Sequence, residues 1–133
     1  MSIHSDAAAA AFSRPGLRVR QEAGLLARDV FHAAAELPRG TRGDLADQMR
    51  RAAMSVFANL AEGEGRRSVA DRSQFFRIAW GSLLELEAHC ELAACTDLLS
   101  PDQALRLRQR TRHVGRMLHA LLRSLSAPSR RSP

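Results

Sequence analysis

The stretch SPDQALRLRQRTRHVGRMLHALLRSLSAP, residues 100–128, decides the fold class. It opens on Ser100-Pro101-Asp102-Gln103. A serine hydroxyl there accepts from a backbone N–H three residues on, the proline's fixed φ suits a first helical turn, and the glutamine reaches back to the cap. Behind this start signal Leu107, Thr111, Val114, Leu118, Leu121 and Leu125 recur in alternating steps of four and three. That period lines one face of an α-helix. Ala127-Pro128 stops it.

Working outward, the same pattern occurs three more times. Val19, Ala23, Leu26, Val30, Ala33 and Leu37 carry a first seam, ended by Pro38-Arg39-Gly40. Gly43-Asp44 marks the next start, and Leu45, Met49, Ala53, Val56 and Leu60 carry a second seam, ended by Gly63 and Gly65. Ser68-Val69-Ala70-Asp71 is a capping box with Asp in the reciprocal position, and the third seam is Phe76, Ala79, Leu83, Leu86, Cys90 and Ala93. Four helices of about 20 residues joined by short links predict an all-α, antiparallel up-down four-helix bundle. The expected organisation is a flexible N-terminal arm over 1–17, the bundle over 18–126 and a loose basic tail over 127–133.

Composition agrees. In 133 residues, 45% are apolar and 26% charged, as in a single soluble globular domain rather than a disordered chain. No run approaches the ~20 apolar residues of a membrane span. The segment Ala7–Phe12 is short for a signal-peptide core and follows Asp6 where basic residues belong, so a cytoplasmic location with no membrane contact is expected. Cys90 and Cys95, five apart on one helix, point about 140° away from each other and read as reduced thiols.

The charge is unevenly spread. All 20 basic residues are arginine, as GC-rich coding alone would also produce. From Gln103 onward, however, eight arginines occur without a single Asp or Glu, leaving a net −2 for residues 1–102. Arg108, Arg112, Arg116, His119 and Arg123 fall opposite the leucine seam, with Arg106, Arg110 and His113 on a flank. Such a ridge suits phosphates, because the guanidinium presents a two-pronged donor. The expected nucleic-acid contacts are therefore Arg106, Arg108, Arg110, Arg112, Arg116 and Arg123. No aromatic residue interrupts the ridge, so electrostatic, weakly sequence-specific binding is expected without base stacking.

Two polar stripes accompany the second and third seams: Arg51, Ser55, Asn59 and Glu62, and Ser82, Glu85 and His89. Trp80, Leu84, Glu87 and Glu91 read as an outward line on the third helix, where a Trp and a Leu one turn apart favour a subunit interface. Catalysis finds little support. Glu85 and Glu87 diverge on a helix, the Glu85…His89 spacing departs from the Glu-x-x-His of di-iron bundles, and His113 and His119 sit among arginines. No enzyme activity, metal or other cofactor is expected.

The segment from Gln48 to Gly63, with Arg51, Ala52, Ala53, Ser55, Val56, Asn59, Leu60, Ala61 and Glu62, resembles the four-helix-bundle proteins of the 23S ribosomal RNA intervening-sequence family. The resemblance continues through Arg67-Ser68 and through Ile78-Ala79-Trp80-Gly81-Ser82-Leu83-Leu84-Glu85. It implies a cytoplasmic bundle that assembles as a homopentameric ring. It further implies that Arg51, Ser55, Asn59, Glu62, Gly63, Arg67, Ser68, Gly81, Ser82 and Glu85 are shared structure or interface, alongside Trp80 and Leu84. A related branch comprises accessory proteins of diversity-generating retroelements, which associate with a reverse transcriptase and nucleic acid. The expectation is a non-enzymatic homo-oligomer that binds RNA or DNA backbone; the alternative is a protein-interaction scaffold docking an enzyme such as a reverse transcriptase.

Overall fold

A computed structural model of the chain describes residues 15–38 and 43–127. Within them run α1 (Pro15–Ala35), α2 (Gly43–Gly65), α3 (Val69–Cys95) and α4 (Pro101–Ser126), with no strand among the described residues. Each helix packs on its two neighbours, α1 closing the circle on α4, and neither diagonal pair meets. This is the antiparallel up-down bundle that the four seams demand, and α2 against α3 is its most extensive pairing.

The helix boundaries follow local chemistry. Pro15, read from sequence as part of an arm ending at 17, instead begins α1, where its missing N–H and preset φ cost nothing. Residues 1–14 of that arm, the Arg39-Gly40 turn and the Arg130-Arg131 tail lie outside the described residues. Leu37 follows the end of α1 yet is buried, held by a tight turn in which its N–H donates to Ala34 O at 3.1 Å. Ser68 caps α3 by accepting from the Asp71 N–H at 3.1 Å. At the far end Asp97 takes a left-handed φ of 60°, which a short polar side chain tolerates, and Leu98 and Leu99 fold back to donate to Ala93 O. The Ser100–Gln103 capping box then opens α4 with both reciprocal bonds made, at 3.0 and 3.2 Å.

Leu26, Val30, Met49, Val56, Leu60, Phe76, Leu86, Val114 and Leu118 are fully buried at the centre. Thr111 lies among them, and its hydroxyl is satisfied by donating to Leu107 O at 2.7 Å within its own helix. Gly63, read from sequence as a helix stop, sits inside α2 against the Phe76 ring. Among the described residues no helix is long and apolar enough to cross a membrane.

Candidate nucleic-acid interface

The six arginines of α4 fall into three environments. Arg110 is turned inward to α1, bonded to Asp29 and 3.9 Å from Glu22, with His113 3.8 Å from the same Glu22 carboxylate. Arg110 is thus a strut between α1 and α4, the one arginine of the sequence-derived set whose charge is met by carboxylates of another helix among the described residues. Arg106 borders the α1–α4 groove together with Asp29 and Glu36. Arg108 borders an α3–α4 groove of about 440 Å³ beside Glu87 and Glu91. Both are exposed and in no ion pair among the described residues, but carboxylates stand nearby and dilute their field.

Arg112, Arg116 and Arg123 are different. They are exposed, spaced with His119 along a single stripe of α4, and pair with no carboxylate among the described residues. Outside α4, Arg20 meets Glu64, Arg28 meets Asp29, Arg50 meets Asp47 and Arg66 meets Glu62, whereas Arg18, Arg51, Arg67, Arg72 and Arg77 form no ion pair among the described residues, so what sets Arg112, Arg116 and Arg123 apart is their clustering on one helix stripe. A second groove between α3 and α4, of about 640 Å³, is lined by Arg112, Arg116, His119 and Arg123 with Trp80, Gly115 and Ala120. No carboxylate borders it.

Trp80 is where sequence reading and structure part. The sequence pattern puts it on an outward line with Leu84, Glu87 and Glu91. The structure keeps Leu84 exposed but turns the other three toward α4: Trp80 is half-buried, its ring centroid 5.8 Å from that of His119, and Glu87 and Glu91 line the Arg108 groove. The outward stripe of α3 is instead Arg77, Gly81, Leu84, Ala88, Leu92 and Cys95, all exposed, with Leu84 at 53% and Leu92 at 52%. So α3 carries small and apolar residues on two opposite faces, whereas a helix of a solitary bundle needs one. The spacing of 81, 84, 88, 92 and 95 is legible in the sequence, but nothing in the sequence alone ranks it above the Trp80 line.

The motif residues divide between scaffold and surface. Ser55 and Ser82 face each other across α2 and α3 with their hydroxyls 2.6 Å apart, and Asn59 Nδ2 donates to Ser55 O at 2.8 Å and to Ser55 Oγ at 3.2 Å. These polar residues bind the two helices of one chain to each other. Gly63 admits the Phe76 ring, Ser68 caps α3, and Glu62 holds Arg66, whose guanidinium lies 4.7 Å over the Phe75 ring. Arg51 and Arg67 are exposed, and Glu85 pairs with His89 at 3.3 Å on the surface. Gly81 is exposed with open space where a Cβ would stand, so nothing among the described residues requires a glycine there.

Burial, and secondarily the Glu87 charge, push the Cys90 thiol up from 9.0 to about 11, which keeps it protonated and unreactive. Among the described residues no group of three His, Cys, Asp or Glu side chains could hold a metal ion.

The fold and this surface define a class: an up-down four-helix bundle with one arginine-rich helix. The chain belongs to the family described as 23S rRNA-intervening sequence protein, which it matches over residues 16–120. It is similar in structure to a protein of unknown function from the S23 ribosomal protein family of Bacteroides thetaiotaomicron. That similarity has a TM-score of 0.77 and 20% identity, covering 83% of this chain and 99% of that one. At that identity the likeness speaks for the fold alone. No curated protein matches this chain.

Proposed function

We propose that this protein is a self-associating helical bundle that binds nucleic acid through backbone phosphates. Arg112, Arg116 and Arg123 are its principal contacts, with Arg106 and Arg108 at the margin. The observation that carries the reading is the uncompensated α4 stripe, in a molecule where most other charges close to α4 are paired or mixed in sign. Three released counterions per chain give a log–log salt slope of about −3 for one protomer on duplex, and proportionally more if several protomers engage one strand. Self-association is supported by the second seam on α3, where Gly81 lets another helix approach and Leu84 and Leu92 supply apolar area. The ring of five is the assembly that the family resemblance implies.

The test is binding of a labelled RNA at low and moderate salt, with light-scattering mass on the same samples. The triple variant Arg112→Glu, Arg116→Glu, Arg123→Glu should lose binding while keeping its helical circular-dichroism signal. Retained affinity, or affinity indifferent to salt, overturns the reading. A monomer at all concentrations overturns self-association. The same α3 seam favours a second reading, a docking face for an enzyme such as a reverse transcriptase. Stoichiometric, nuclease-resistant binding of such an enzyme, lost in Leu84→Glu, would place it first.

A further inference from the structure

Among the described residues, grooves beside α4 take in its arginines in three places, and of these one has no carboxylate on its walls and includes the Trp80 indole. The groove beside Arg106 and Arg110 includes Asp29 and Glu36, and the one beside Arg108 includes Glu87 and Glu91. The third joins Arg112, Arg116 and Arg123 to Trp80 and His119. Its volume of about 640 Å³ is ample for a small ligand, and with no carboxylate on its walls the ligand it suits is an anion.

A phosphate alone leaves the indole unexplained. Trp80 comes from α3 and lies against α4 beside Gly115, where even an added Cβ would make only ordinary contact, 3.9 Å from Trp80 Cζ3 and 3.4 Å from Leu83 Cδ2. The indole is thus seated on one side, while the His119 ring, tilted 46° to it, leaves the two rings splayed rather than closed on each other. A half-buried indole open to a basic groove offers a stacking surface of the kind on which any base can lie. Along α4, Arg112 and Arg116 are about 6 Å apart and Arg123 stands about 10 Å beyond Arg116, so guanidinium groups are available on both sides of the rings.

We propose that the groove between Trp80, His119 and the Arg112–Arg116–Arg123 stripe seats an unpaired nucleotide, and that the nucleic acid this protein takes is single-stranded. The base stacks on the open part of the Trp80 indole beside His119, and the flanking phosphates lie on the three arginines. A duplex can touch the same arginines, but its bases are already stacked inside the helix and cannot reach the indole. This inference rests on the arginine reading above for its phosphates and adds the base to it.

Trp80 is the only tryptophan and the chain has no tyrosine, so intrinsic fluorescence reports on this groove alone. The intact protein is titrated at low salt with four probes: a short single-stranded RNA homopolymer, a DNA strand of the same length, the corresponding duplex, and inorganic polyphosphate. Binding is followed in parallel by displacement of a labelled strand. The expected result is that all four compete, that only the single strands quench Trp80, and that the RNA and DNA arms identify the preferred strand. Trp80→Leu, which keeps apolar bulk, should weaken single-strand binding roughly 10-fold and leave polyphosphate binding unchanged. Trp80→Phe should retain most of the affinity, and circular dichroism confirms that both variants fold. Single strands that bind without quenching, or equally well to Trp80→Leu, overturn the stacking inference and leave the arginine reading standing. Failure of all four probes to bind overturns both.

Discussion

Replacing Gly63 by alanine should destabilise this bundle, although alanine is the better helix former. On backbone grounds alone, Gly→Ala inside a helix is worth about 1 kcal/mol in favour of the variant. The packing opposes it. A Cβ at residue 63 would stand 2.7 Å from Phe76 Cδ1, 3.1 Å from Cζ and closer still to Cε1. Carbon atoms rest at about 3.5–4.0 Å, so the ring has to retreat by roughly 1 Å. Phe76 is 0% exposed and shares the core with fully buried neighbours, so it has no free side to retreat into. Overpacking of this kind costs about 1–3 kcal/mol, and an overlap this deep belongs at the upper end. The net expectation is a loss of about 2 kcal/mol, or a melting temperature lower by roughly 8 °C. Gly81→Ala is the control: nothing lies within 4 Å of its Cβ position, so at protein concentrations low enough to keep chains apart it should gain about 0.5–1 kcal/mol. Urea unfolding followed by far-ultraviolet circular dichroism measures both. If Gly63→Ala is as stable as the parent, or if both substitutions move stability in the same direction, the packing argument is wrong.

Other consequences can be read the same way. Ser100→Ala removes one half of the reciprocal cap of α4 and should cost about 1 kcal/mol in the same unfolding assay, with Gln103→Ala showing a smaller loss. The raised Cys90 thiol makes stability fall with alkaline pH: the unfolded chain releases that proton near 9.0 and the folded chain near 11, so the contribution is whole below about 9 and is lost on rising through 11. That is worth up to about 2–3 kcal/mol, and Cys90→Ala should flatten the slope of stability against pH across this window. A disulfide-exchange reagent at neutral pH should correspondingly modify exposed Cys95 quickly and Cys90 only on unfolding. Arg110→Ala should cost about 0.5–1 kcal/mol through loss of its α1 partners, with little effect on nucleic-acid affinity. Arg116→Ala should do the reverse, leaving stability within about 0.5 kcal/mol and weakening nucleic-acid binding.

The amino-acid sequence by itself determined four helices, their buried faces and the polarity of the last one. The seam residues from Val19 to Leu37, Met49 to Leu60, Phe76 to Ala93 and Leu107 to Leu121 are all buried where the period places them, because the continuous apolar seam of each helix leaves water by facing the other helices. The cap at Ser100 was equally legible, since capping uses only residues adjacent in the chain. What depends on the neighbouring helix was not. That Arg110 is tied to Asp29, that Gly63 makes room for Phe76 rather than ending α2, and that Trp80 leans onto α4 beside His119 are contacts between residues 13 to 81 positions apart. Helical periodicity fixes the direction of a side chain around its own axis but not what stands opposite. Only the tertiary structure could separate a paired arginine from a free one and bring the single tryptophan to the basic groove.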